Sequence, residues 1–128
     1  MYRICFLCSN LRRTGPTRQL LNILNHLDTR LFDARVLTLS KEPEDSLASE
    51  FFARGITVEC LGVERVAGWF TGVSKLNAWL KRSKVDLLHS QGVRADQLSV
   101  GLKNRLRCVS TMRNDPKVDY VLKYGRFF

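Results

Sequence analysis

Apolar positions fall along this chain in two alternating rhythms. Short apolar runs rich in aromatic and β-branched residues give way to stretches in which leucines recur every three or four places. Tyr2–Cys8 (YRICFLC) is the first run and predicts a buried strand. After a polar corner, Leu20, Leu21, Ile23, Leu24 and Leu27 follow helical spacing. Pro16 suits the first helical position, where its fixed φ is already helical and its missing N–H is not needed, with Thr14 or Gly15 as the N-cap. Ala34–Leu39 (ARVLTL) reads as a second strand. Ser46–Arg54 (SLASEFFAR) reads as a short helix, capped by Asp45 or Ser46 and ended by Gly55. Ile56–Leu61 (ITVECL) is a third strand, and Gly62–Gly72 an irregular stretch. Thr71 or Gly72 then opens a helix with Val73, Leu76 and Leu80 on one face. Lys81, Arg82 and Lys84 close it, where the helix dipole favours cations. Val85–His89 (VDLLH) is the fourth strand. Ala95, Leu98, Leu102 and Leu106 stripe the next helix, Arg107–Met112 (RCVSTM) is the fifth strand, and Asp119–Tyr124 starts a last helix.

Strand and helix alternate throughout, which predicts an α/β fold: one Rossmann-like, doubly wound parallel sheet over residues 1–128, with helices on both faces. In such folds ligands gather beyond the carboxyl ends of the strands. Three polar clusters follow strand ends: Ser9–Thr17, Ser90–Asp96 and Arg113–Pro116. In the common strand order 3-2-1-4-5 the first, fourth and fifth strands are neighbours, so the clusters would share one rim.

Composition narrows the partners. The 128 residues are 45% hydrophobic and 26% charged, as in an ordinary globular domain. Twenty-one basic residues against 12 acidic ones leave a net charge of +9, with a pI of about 9.9. That balance favours polyanions: nucleic acid, anionic lipid or phosphorylated ligands. The basic residues are scattered, apart from small groups such as Arg12-Arg13 and Lys81-Arg82-Lys84. No apolar run is long enough to cross a bilayer and no signal-peptide pattern opens the chain, so the expected location is cytoplasmic. Cys5 and Cys8 form a C-x-x-C, but residues three apart on a strand point to opposite faces, which argues against a metal or redox pair. All four cysteines, with Cys60 and Cys108, are expected to be buried thiols in a reducing compartment.

The first cluster places the N–H groups of Gly15, Thr17 and Arg18 near a helix start, an anion site by geometry and dipole. Neither the dinucleotide nor the P-loop glycine fingerprint is present, and a capped turn explains the residues equally well. In the second cluster (HSQGVRAD), His89 is able to titrate near neutrality, and Arg94 and Asp96 are able to pair with each other. In the third (MRND), Arg113 suits a phosphate, while Asn114 and Asp115 also form turns. His26 reads as a surface residue at a helix end. The residues suggest no metal site and no Ser-His-Asp arrangement.

Taken together, "TGPTRQLLNILNHLD", "FDARVLTL", "FFARGITVECL", "VDLLHSQGVRAD" and "RCVSTMRND" resemble, in order and spacing, the N-terminal domain of a GT-B glycosyltransferase of the family 4 type, the glycosyl transferases group 1 class. The likeness covers nearly the whole chain. It implies half of a GT-B fold, in which two Rossmann-like domains face each other across a cleft. The N-terminal domain binds the acceptor, and the C-terminal domain binds the nucleotide sugar and carries an E-x7-E motif. The chain ends before such a second domain. The resemblance therefore implies an isolated acceptor-side half that does not complete transfer alone and needs the missing domain, in cis or on a partner chain.

The resemblance also assigns residues. Thr14, Gly15, Pro16 and Thr17 match the loop facing the donor diphosphate, where the family has a glycine pair; Gly15 matches the first glycine and Pro16 replaces the second, stiffening the loop. His89 matches the first histidine of a His-x-His and Gln91 replaces the second, which makes them the catalytic candidates. Arg94, Arg113 and Asn114 are the acceptor-binding candidates, with Arg113 where many relatives have histidine. The implied reaction is retaining and needs no metal or other cofactor beyond the nucleotide-sugar substrate. The implied acceptor is a glycan or a lipid-linked sugar in cell-envelope polysaccharide synthesis. An anionic membrane surface, the inner face of the cytoplasmic membrane, is a candidate docking partner, and no specific nucleic acid is expected. Two other readings remain open here: a basic, non-catalytic module for nucleotides or nucleic acid, and a subunit that works only with a partner chain, which an exposed apolar patch near Trp69, Phe70, Phe127 and Phe128 would favour. A response-regulator receiver fits poorly, since no acidic pair follows the first strand.

Overall fold

In a computed structural model, which describes residues 1–64, 68–102 and 106–111, the first apolar run becomes the central strand β1 (Tyr2–Cys8). The other elements are α1 (Gly15–His26), β2 (Phe32–Thr38), α2 (Ala48–Ala53), β3 (Thr57–Cys60), α3 (Trp69–Ser83), β4 (Leu87–Gln91), α4 (Val93–Val100) and β5 (Arg107–Thr111). The five strands are parallel in the order β3-β2-β1-β4-β5, a Rossmann-like arrangement. β1 pairs with β2 on one edge (Leu7 opposite Leu37) and with β4 on the other (Leu7 opposite Ser90).

β1 needs an apolar side chain at successive positions because both of its faces are covered. Ile4, Phe6 and Cys8 join Leu20, Leu21 and Leu24 of α1, Val36 of β2 and Phe51 of α2 in one core. Cys5 and Leu7 join Leu37, Leu76, Trp79, Leu80 and Leu88 in the other. The chain steps from β1 outward to β2 and β3, then returns across β1 to β4 and β5. Right-handed crossovers therefore put α1 and α2 on the first face and α3 and α4 on the second.

Several boundaries differ from the pattern reading. α3 starts at Trp69, earlier than the leucine spacing indicates, with Gly68 turning the chain at φ 80°. The extra turn is held by tertiary contact: Trp69 Nε1 donates to the Gln97 carbonyl at 3.0 Å. β4 runs to Gln91, two residues beyond the apolar stretch, because Ser90 and Gln91 continue the ladder opposite Ser110 and Thr111. α2 opens at Ala48 with Leu47 at the cap position, and Ser46 Oγ accepts the Ala48 N–H at 3.0 Å from just outside the helix. α4 ends at Val100; Leu102 and Leu106 still pack against the second core but from the chain beyond the helix. The helix expected over Asp119–Tyr124 lies outside the described residues.

Gly101 shows how tightly α3 meets α4. A Cβ there would stand 2.4 Å from the Trp69 ring and 2.8 Å from Val73. Gly101→Ala is therefore expected to displace the indole and lower stability by about 1–3 kcal/mol, read as an earlier urea midpoint with altered tryptophan fluorescence. Gly15→Ala, with nothing within 4 Å of the added carbon and an ordinary φ, should leave the midpoint unchanged or slightly raised.

Candidate functional site

The corner after β1 is held by backbone and carboxylate hydrogen bonds. Leu11 is fully buried, and its N–H donates to both carboxylate oxygens of Glu42, at 3.1 and 2.9 Å. Ser46 Oγ donates to the same carboxylate at 2.7 Å. The Arg13 N–H donates to the Asp45 carbonyl at 2.8 Å, and the Leu47 N–H to the Leu11 carbonyl at 2.7 Å. An antiparallel bridge joins Arg12 to Ser46 between them. The β1–α1 loop is thus laced to the β2–α2 loop, and the Leu11, Arg12 and Arg13 amides are already used, Arg12 by the Asn10 side chain at 3.1 Å.

What remains open is the start of α1. Thr14 is the N-cap and Gly15 the first helical residue, so Pro16 takes the second helical position and not the first. Thr14 Oγ1 does not cap a backbone N–H; it shares a 3.1 Å hydrogen bond with Thr17 Oγ1, on a residue only 7% exposed. The Arg18 N–H donates to the Thr14 carbonyl at 3.1 Å. Gly15 and Thr17 are the only N–H carriers among the first three helical residues, and neither donates to an acceptor among the described residues. Two aligned donors at a helix start favour an anionic or strongly polar oxygen.

β4 brings the second set of residues to the same rim. Alternation puts Leu87, His89 and Gln91 on the α1 face and Leu88 and Ser90 on the other. The His89 ring packs on Phe6 with centroids 5.1 Å apart, and its Nε2 lies 2.5 Å from Thr111 Oγ1. Gln91 Nε2 is buried and has no hydrogen-bond partner among the described residues. On the opposite face, Asp96 Oδ1 accepts from Ser90 Oγ at 2.5 Å and from Ser110 Oγ at 2.8 Å, tying α4 to both β4 and β5. Arg94 reaches a different place: Nη1 donates to Ser40 Oγ and Nη2 to the Val63 carbonyl, both at 2.5 Å, so it braces the segments that follow β2 and β3.

No family model, curated protein or solved structure matches this chain. The site therefore rests on its own geometry. By topology the start of α1, with Thr14, Gly15, Pro16 and Thr17, and the end of β4, with His89 and Gln91, both lie at the carboxyl rim on the first face of the sheet. Arg94 belongs to the second face. Arg113 and Asn114, with the Phe127 and Phe128 of the apolar patch, lie outside the described residues. Glu42 and Thr111 are the residues that sequence reasoning passed over. The acidic loop KEPED facing Arg12-Arg13 was the available signal for the first, and strand parity with His89 for the second.

Among the described residues no three His, Cys, Asp or Glu side chains are grouped so as to hold a metal ion, and no helix is long and apolar enough to cross a membrane. His26 ends α1, exposed, with Nδ1 2.8 Å from the Asn22 carbonyl. Cys5 and Cys8 do lie in opposite cores. Cys60 and Cys108 are exposed, contrary to expectation, because β3 and β5 are the edge strands.

Burial raises the Cys5 thiol far above its ordinary value, with the neighbouring Cys8 adding to the effect. It pushes Cys8 up to about 12, helped by the Glu42 carboxylate. Partial burial raises Cys108 as well. A thiol whose folded pKa is raised keeps its proton in the native state while the unfolded chain loses it. Stability is then intact below the ordinary value of 9.0 and falls as pH climbs from there toward about 12. Urea midpoints should decline over that window, and the decline should flatten in a Cys5→Ala/Cys8→Ala variant. At pH 8 a maleimide should label Cys60 promptly, Cys108 more slowly, and Cys5 and Cys8 only as the protein unfolds.

The Glu42 clamp generates its own expectation. Glu42→Ala leaves the buried Leu11 N–H without an acceptor and should cost about 1–3 kcal/mol. Amide exchange at Leu11 should rise with it, while Glu42→Gln, which keeps one acceptor oxygen, should lose less.

Proposed function

We propose that this chain is the acceptor-binding half of a retaining glycosyltransferase of the GT-B type, moving a sugar from a nucleotide-sugar donor to a glycan or lipid-linked acceptor of the cell envelope. The observation that carries the reading is the Gln91 side chain, whose amide nitrogen is buried without a partner among the described residues, at the rim where α1 opens. A buried, unpaired donor costs about 1–3 kcal/mol, and a ligand oxygen would remove that cost. The Gly15 and Thr17 amides, also donors, and the His89 imidazole belong to the same rim and face by topology. A rim of neutral donors suits a ligand rich in hydroxyl oxygens, and a helix start suits the diphosphate of a donor presented from an opposing domain.

In this reading the bond from the sugar's anomeric carbon to the diphosphate breaks as a bond to the acceptor hydroxyl forms on the same face. The hydroxyl proton leaves with the diphosphate oxygen. Gly15 and Thr17 offer N–H groups to the departing charge, and Glu42 keeps their loop in place from behind. His89, fixed by Phe6 and Thr111, and Gln91 orient acceptor hydroxyls. The resemblance in order and spacing along the chain supports the assignment, as do the strand order and the shared rim. A nucleotide-binding domain facing this one completes the reaction, in the same polypeptide or on another.

Amide-resolved NMR titration with nucleoside diphosphates and nucleotide sugars tests the reading. The Gly15 and Thr17 backbone signals and the Gln91 side-chain NH2 should shift together. Gln91→Leu should raise stability by about 1 kcal/mol, since the orphan donor is gone, yet weaken glycan binding at least tenfold. With the donor-binding domain supplied, His89→Ala and Arg113→Ala should lower turnover with the fold intact. Absence of any shift at Gly15, Thr17 and Gln91 across the panel would sink the assignment.

A further inference from the structure

α3 turns Gly72, Leu76, Trp79 and Leu80 toward the sheet. Its outward strip, at helical spacing, is Phe70, Thr71, Ser74, Lys75, Ala78, Lys81 and Arg82, all exposed. The two ends of the strip differ in character. At the start, Phe70 is 82% exposed and Trp69 42% exposed. Trp69 is pinned by its Gln97 hydrogen bond and lies over Gly101, next to Val100, which is 85% exposed. Phe70 rests edge-on against that fixed indole, 5.0 Å between centroids at 80°, so the phenyl ring is supported while facing outward. Toward the other end come Lys75, Lys81 and Arg82, followed by exposed Lys84.

No carboxylate occurs in the fifteen residues of α3. Among the described residues Asp86 accepts the Arg3 N–H at 2.8 Å, Glu59 accepts Trp79 Nε1 at 2.7 Å, and no ion pair reaches Lys75, Lys81 or Arg82. The cations along the strip are therefore not neutralised by their own helix. An aromatic tip followed by a cationic flank on one helix face matches the boundary of an anionic bilayer, where apolar groups enter the headgroup region and ammonium and guanidinium groups lie over phosphates. A nucleic acid would use the cations but leave the aliphatic Val100 without a role. A protein partner would need a broader apolar centre than this tip supplies. The +9 net charge adds long-range attraction to the same kind of surface.

We propose that the outward face of α3 docks this protein on an anionic lipid surface, with Phe70 entering the headgroup boundary and Lys75, Lys81 and Arg82 engaging lipid phosphates. The proposal does not rest on the glycosyl-transfer reading, because docking is measured without donor or acceptor.

The test is flotation of the full chain with phosphatidylcholine vesicles, with and without phosphatidylglycerol. Binding is expected only on the anionic vesicles and should weaken as salt is raised. Phe70→Ser should reduce it about tenfold, and Phe70→Trp should preserve it. Replacing Lys75, Lys81 and Arg82 by Gln should each reduce it about fivefold, and by Glu further. Because all four side chains are exposed, circular dichroism and urea midpoints should stay at their original values. Three results overturn the proposal: no flotation with anionic vesicles; flotation and heparin binding that fall together in the charge variants while Phe70→Ser changes neither, which marks a general polyanion surface; or self-association abolished by Phe70→Ser with no vesicle binding, which gives the patch to a second copy.

Discussion

β1 is covered on both faces and paired along both edges, and the rest of the molecule is arranged around that burial. A strand in this position has no room for a polar side chain along its buried length. Chemistry is displaced to its carboxyl end, where the chain first leaves the sheet. The same constraint orders the helices. With β2 on one edge and β4 on the other, right-handed crossovers must send α1 and α2 to one face and α3 and α4 to the other. The opening of α1, the end of β4 and the start of α3 are all consequences of one buried strand.

That constraint also explains which features could be read along the chain. Tyr2–Cys8 coincides with β1 because the two-sided burial of Ile4–Cys8 writes itself as an unbroken apolar run. The opposed placement of Cys5 and Cys8 follows from strand parity alone. β4 was shifted because Ser90 and Gln91 are polar. Ser90 is nonetheless buried, its hydroxyl satisfied by Asp96, a contact six residues ahead that no local pattern encodes. The start of α3 was missed for a related reason: Trp69 and Phe70 break the leucine spacing, and only the Gln97 carbonyl and the space above Gly101 make their turn helical. Cys60 and Cys108 are exposed because edge position is a property of the sheet and not of any segment.

The corner Ser9–Thr17 divides in the same way. Its donors were visible in the sequence; their allocation was not. Of the three amides expected at the helix start, that of Arg18 donates to the Thr14 carbonyl, while Glu42, thirty-one residues from Leu11, and Asp45 take the Leu11 and Arg13 N–H groups and join two loops. This narrows the open donors to Gly15 and Thr17 and also fixes where they stand. A carboxylate placed behind a loop in this way opposes an anion that binds deep in the corner and leaves the outward helix start as the favourable position.

The start of α1 and the start of α3 then have a geometric relation that follows from topology. α1 begins where β1 ends, and α3 begins after β3 ends, so Phe70 and Gly15 both lie toward the carboxyl rim although their helices cover opposite faces. The proposed docking strip runs from Phe70 at the rim end of α3 to Lys81 and Arg82 at the other end, so with the whole strip on a bilayer the helix lies along the surface and the rim faces sideways above the headgroups. The aromatic end of the strip is thus the end it shares with the start of α1, and the cationic end is the one remote from it.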